Sequence, residues 1–162
     1  MIDLVDRVRE IYDGKVLISG GRLDSELPGH ADLIGVTTFD TGRPDLPSTA
    51  TVDEWKAGYE KHLQNVADPI WKQWGKQVFF YTINPSSGFP DASPDASGTF
   101  ENSQAAELEG LFQALKTRPW IAGTMSWAYT HIDAARGDTD GLRGRLAEAV
   151  LAKYYGAYTG KD

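Results

Sequence analysis

Three runs of β-branched and aromatic residues constrain this chain most: Asp32-Leu-Ile-Gly-Val-Thr-Thr-Phe39, Gln77-Val-Phe-Phe-Tyr-Thr-Ile83 and Trp120-Ile-Ala-Gly-Thr-Met-Ser-Trp127. Runs of this length and composition read as strands. The first is nearly continuous in apolar residues, which suits a strand covered on both faces. A shorter strand, Lys15-Val-Leu-Ile-Ser19, precedes them and is stopped by Gly20-Gly21. Helical patterns lie between and around these strands. Leu4, Val5, Val8, Ile11 and Tyr12 repeat at helical spacing over Asp3 to Tyr12. Thr51-Val-Asp-Glu54 is a capping box that opens a helix running to about Trp74. Pro69 is expected to break that helix in two, and Gly75 ends it. Asn102 or Ser103 caps the next helix, through Lys116, with Ala106, Leu108, Leu111, Phe112 and Leu115 inward. A last helix covers Leu142 to about Tyr158.

The order is α-β-β-α-β-α-β-α, with the first two strands joined by a loop or a short helical turn. Alternation of this kind means parallel pairing, an α/β fold and a single (βα)4 domain over residues 1–162. Four strands are too few for a whole (βα)8 barrel, which takes about 250 residues. No Gly-x-Gly-x-x-Gly follows a strand and no Walker loop is present, so no nucleotide cofactor is expected.

Composition narrows the partners. Sixteen Lys and Arg against twenty-three Asp and Glu leave a formal charge of −7, which repels phosphate backbones and anionic membrane surfaces. The chain has no cysteine, which removes disulfides, thiolate nucleophiles and Cys-ligated metals. No 18-residue apolar run is present. The segment Met1-Ile-Asp-Leu-Val-Asp-Arg7 lacks the basic-then-apolar order of a signal peptide, so the expected compartment is the cytoplasm. Aromatic residues make up 11%, five of them Trp, and several stand at strand ends. Aromatic faces suit the C–H faces of sugar rings.

The strands and their order carry a resemblance. Asp32-Leu-Ile-Gly-Val-Thr-Thr-Phe39 resembles the sixth-strand signature D-x-I-G-h-x-x-Y (h apolar) of certain clan A glycoside hydrolases. Lys76-Gln-Val-Phe-Phe-Tyr-Thr-Ile-Asn84 resembles their seventh strand, K-P-h-h-h-T-E-h-G. Ser103-Gln-Ala-Ala106 with Leu111-Phe-Gln-Ala-Leu115 resembles the following helix, Q-A-x-x-h-x-A-h. Trp120 to Trp127 resembles the eighth strand, W-h-x-G-h-h-h-W, and Ala152-Lys-Tyr-Tyr155 the final helix. The family is glycoside hydrolase family 113, retaining β-mannanases on a TIM barrel. The resemblance covers almost the whole chain and implies the second half of such a barrel.

Two departures from the family bear on function. Retaining glycosidases use two carboxyls about 5–5.5 Å apart. The family's acid/base stands at the end of the fourth strand, which this chain does not contain. Its nucleophile stands at the end of the seventh strand, where the resemblance puts Thr82. A shift of one residue gives Tyr81 or Ile83, still no carboxylate. No catalytic residue is therefore assigned. The resemblance puts Trp127 at the floor of a sugar site. Asp40, Asn84 and Tyr129, just past strand ends, are the further saccharide-contacting candidates. Ser86 and Ser87 could hydrogen-bond sugar hydroxyls from the same long loop. His131 and Asp133 could pair as base and orienter, but two ligands are too few for a metal site. A Ser126-His131-Asp133 triad lacks a nucleophile elbow.

The expected function is thus a carbohydrate-related, hydrolase-like half barrel without its carboxyl pair, inactive as an isolated chain. The alternative is a non-catalytic structural or interaction module that assembles with itself. A saccharide ligand and either self-association or a complementary half barrel are the expected partners. The inward-facing positions are expected among Val16/Ile18, Ile34/Val36, Val78/Phe80 and Ile121/Gly123/Met125.

Overall fold

The computed structural model describes residues 2–19, 26–37, 43–83, 99–126 and 141–156, with backbone alone at 82, 83, 99 and 100. The elements in chain order are α1 (Ile2–Arg9), β1 (Leu17–Ser19), a 3-10 turn (Leu27–His30), β2 (Leu33–Thr37), α2 (Val52–Trp74), β3 (Gln77–Ile83), α3 (Thr99–Leu115), β4 (Ile121–Ser126) and α4 (Leu146–Gly156). Four strands form one sheet in the order β1-β2-β3-β4, all parallel. Two compact units divide the chain. One holds Met1–Arg43, His62–Ile83 and Arg118–Met125; the other holds Pro44–Lys61, Asn84–Thr117 and Ser126–Asp162.

The first unit contains the sheet. Its register pairs Ile18 with Ile34 and Ile34 with Val78, so these three side chains share one face. Val36 and Phe80 join them, and this face is closed to solvent: Ile34 and Val78 are 0% exposed and Phe80 1%. The opposite face carries Leu17, Ser19, Gly35, Phe79 and Tyr81 by the same register. Gly123 belongs to it too, because a Cβ there would meet the Phe79 ring at 3.1 Å. Alternation then puts Ile121 and Met125 beside Gly123. This second face is open at its margins, where Leu17 is 38% exposed and Met125 49%, while Gly35 and Thr37 at its centre are buried. The expected set of inward positions is therefore corrected. Ile18, Ile34, Val36, Val78 and Phe80 form the closed face, and only the Ile121/Gly123/Met125 group lies on the open one. The sequence pattern did not separate the two, because the open face of β2 and β3 also carries large apolar side chains, Leu33 and Phe79, beside Thr37, Gln77 and Tyr81.

Asp32 ties the start of the sheet together. Its Oδ2 accepts from Arg9 Nη2 at 2.6 Å and from the Val16 backbone N–H at 2.7 Å. The backbone bond from Val16, then the Arg9 guanidinium, hold its carboxyl below the usual range. Trp71 stacks on Trp120 with ring centroids 5.6 Å apart, and the Val78 N–H donates to the Trp120 carbonyl at 3.1 Å. Arg118 pairs with Asp68 at 2.9 Å beside them.

The capping box of α2 forms as expected. The Thr51 N–H donates to Glu54 Oε2 at 2.7 Å and the Glu54 N–H to Thr51 Oγ1 at 3.3 Å. Gly75, at φ +63°, ends the helix and donates to the Trp71 carbonyl at 2.7 Å. Pro69 does not break α2, contrary to the sequence expectation. Pro69 and Asn65 are both exposed, so water reaches the Asn65 carbonyl that the missing N–H leaves unbonded.

In the second unit α3 and α4 pack through Phe112, which stacks on Tyr154 at 4.6 Å and meets Tyr155 edge-on at 5.8 Å. Leu108, Leu111, Phe112 and Leu115 are buried as expected, while Ala106 is half-buried. α3 begins at Thr99 rather than at Asn102 or Ser103. Ser103 is no cap: its buried hydroxyl donates to the Ser48 carbonyl. α4 begins at Leu146, four residues later than expected. Leu142 and Arg145 instead form successive i→i+3 turns, and Gly144 sits at φ +82° between them. Among the described residues no helix is long and apolar enough to cross a membrane.

Candidate functional site

A parallel α/β sheet presents ligands at the carboxyl ends of its strands, where the backbone leaves the sheet and loops can be varied freely. Here those ends are Ser19 of β1, Thr37 of β2, Ile83 of β3 and Ser126 of β4. Thr37 is buried and is the register partner of half-buried Tyr81, so the two share the open face. Tyr81 leans across it: its Cε1 comes within 3.0 Å of where a Gly35 Cβ would stand, as does the Ser19 Cβ, with Leu17 Cδ2 at 2.8 Å. Glycine at 35 leaves the space these neighbours occupy.

The sequence candidates divide as follows. Thr82 lies in β3, one residue from its end, with its backbone alone described. Tyr81, which a one-residue shift puts at the family's nucleophile position, lies on the open face and brings a phenol there, not a carboxylate. Asn84 follows β3 directly and Trp127 follows β4 directly; both, with Asp40, Tyr129, His131 and Asp133, lie outside the described residues. Ser126 closes β4, and its buried hydroxyl finds no hydrogen-bond partner among the described residues. Thr37 is a strand-end residue that sequence reasoning did not single out, and Tyr81 was named only as an alternative to Thr82. Their signal was available: both stand within the last three residues of an expected strand.

The described carboxylates lie elsewhere. Asp32 is at the amino end of β2, the end that serves stability rather than chemistry. Glu107 is fully buried on α3 and accepts the Tyr59 hydroxyl at 2.7 Å. Glu109 accepts Gln113 at 2.9 Å, Lys153 at 2.6 Å and Tyr154 at 2.7 Å on one oxygen. Burial pushes the Glu109 carboxyl up, but these donors outweigh it and hold it below the usual range. Burial together with the bond to Glu109 pushes the Tyr154 phenol well up. These are clamps between helices. Among the described residues no group of three or more His, Asp or Glu could hold a metal ion.

Comparison with solved structures decides what the four strands belong to. The chain is similar to a β-1,4-mannanase of glycoside hydrolase family 113, with TM-score 0.62 and 21% identity over 96% of this chain and 50% of that one. The fold is that of half a TIM barrel. A family 113 β-mannanase from Alicyclobacillus acidocaldarius, in complex with ManMIm, matches with TM-score 0.60 and 24% identity over 96% of this chain and 49% of that one. A β-glucuronidase from Faecalibacterium prausnitzii matches with TM-score 0.54 and 15% identity over 88% of this chain and 25% of its own. The half barrel thus spans about half the length of the mannanases it matches. No protein-family model matches the chain, and no curated protein is significantly similar to it.

Proposed function

We propose that this half barrel is the carboxyl-terminal half of a glycoside-hydrolase-like scaffold that binds a saccharide without hydrolysing it on its own. The likeness of 96% of the chain to half of a mannanase carries the reading. Asp40, Asn84, Trp127 and Tyr129 would contact the sugar, because each follows closely on a strand's carboxyl end. Trp127 would supply the stacking face and the other three the hydrogen bonds. Catalysis is not expected from the isolated chain. On the register of the resemblance Thr82 stands where a nucleophile would be, and its hydroxyl lacks the negative charge that stabilises an oxocarbenium ion. The general acid alone contributes roughly 10²–10⁴ in rate. Activity would need a second half that brings carboxylates.

Purified chain is incubated with manno-oligosaccharides while reducing ends and tryptophan fluorescence are followed. The expected result is saturable quenching without release of reducing sugar. Release that survives repurification and disappears in Asp40→Asn would overturn the inactive reading. Absence of any binding would overturn the saccharide reading. It would favour instead a structural module, for which exposed Leu17 and Met125 on an apolar face are the supporting observation.

A further inference from the structure

We infer that the open face of the sheet is covered by a second copy of this chain, the two together closing an eight-stranded barrel. The inference rests on the half-barrel reading above. The open face carries Leu17, Phe79, Tyr81 and Met125, of which Leu17 and Met125 are 38% and 49% exposed. Its two margins are β1 and β4, which among the described residues have no further strand on their outer side. Exposed Ile11 and Tyr12 lie just ahead of β1.

Area argues for a partner that engages the edges as well as the face. Four strands about 4.8 Å apart, averaging about five residues of about 3.3 Å each, make a face of roughly 19 by 17 Å. Two such faces together bury about 650 Å², short of the roughly 1,200 Å² at the low end of stable interfaces. Edge pairing supplies the remainder. A two-fold axis along the strands brings β4 of each copy beside β1 of the other in the parallel sense. It does so twice, so no edge is left open. Eight is also the strand number at which a parallel barrel fills with its own side chains. Glycines at 35 and 123, under the side chains of neighbouring strands, fit the mix of small and large residues that a narrow interior requires. The charge of −7 on each chain opposes the pairing, so added salt should strengthen it.

Sedimentation equilibrium over a wide concentration range, at low and high salt, tests this on the wild type, Leu17→Glu, Met125→Lys and Met125→Leu. Both positions are exposed in the single chain, so far-UV circular dichroism should be the same in all four. The expected mass is twice 17.8 kDa. The dissociation constant should fall with salt and rise roughly 30-fold or more in Leu17→Glu and Met125→Lys. Met125→Leu should leave it unchanged. A concentration-independent 17.8 kDa mass, or a dimer that neither charged variant weakens, overturns the inference. Manno-oligosaccharide quenching on the same samples separates the two readings. A monomer that binds sugar removes the second copy and leaves the saccharide reading; a dimer blind to sugar does the reverse.

Discussion

Strand β2, Leu-Ile-Gly-Val-Thr, and strand β4, Ile-Ala-Gly-Thr-Met-Ser, each carry a glycine among β-branched and apolar residues. Four of the five residues of β2 are buried; none of the six in β4 is. Composition does not account for the difference. Among the described residues β2 has a paired strand on each side, while β4 has one neighbour. A strand's burial is therefore set by its rank in the sheet, and an apolar margin marks a surface still to be covered.

The largest expected effect breaks the comparison at its core. Phe80→Ala, on the closed face, should cost about 3–5 kcal/mol in urea unfolding, because it leaves a cavity where the side chain is 1% exposed. Met125→Ala should cost less than about 1 kcal/mol in dilute monomer. Equal costs would mean that the margin is already covered. The glycines sharpen the contrast. Gly35→Ala should cost about 1–3 kcal/mol, because its Cβ meets three side chains at 3.0 Å or less, one of them at the stiff Ser19 Cβ. Gly123→Ala should cost less, since it meets only the half-buried Phe79 ring, at 3.1 Å.

Polar groups give a parallel contrast of smaller size. Tyr59→Phe removes a donor from fully buried Glu107 and should cost about 1–3 kcal/mol. Arg9→Ala, at a pair 36% exposed on both sides, should cost clearly less than Tyr59→Phe. The pH profile adds a signed test. Burial holds the His62 imidazole down, so the unfolded chain takes up a proton below about 6.5 that the folded chain resists. Stability should be full above that pH and decline as pH falls through it, a step that His62→Gln removes. Asp32, Glu54 and Glu109 are held below the usual carboxylate range. Their contribution is present above about pH 4 and is lost as pH falls through their lower folded values. The thermal midpoint against pH reads both steps.

Much of the fold was legible because local rules settle it. β3 runs over Gln77–Ile83 as its apolar run demanded, and the Thr51–Glu54 capping box fixed the start of α2 within a residue. The expectations that failed were those where a non-local partner or solvent decided. Pro69 stays inside a helix because water can reach the Asn65 carbonyl, and Ser103 spends its hydroxyl on Ser48 rather than on a helix end. Among the site candidates, strand-end residues could be named from the order of elements alone. Tyr81, read only as an alternative to Thr82, was placed on the open face once its pairing with Thr37 was known.

The sequence by itself determined the α/β alternation, the parallel pairing that follows from it and the four-strand length. Each of these depends on periodicity and turn residues within a short window. Only the tertiary structure decided which apolar face is closed and which is open. In β2 and β3 both faces carry large apolar side chains, Leu33 and Phe79 on one and Ile34, Val36, Val78 and Phe80 on the other, and alternation alone does not say which one the helices cover. The decision came from register: Ile18, Ile34 and Val78 align across three strands on the closed side, while Leu17, Phe79 and Gly123 fall on the other.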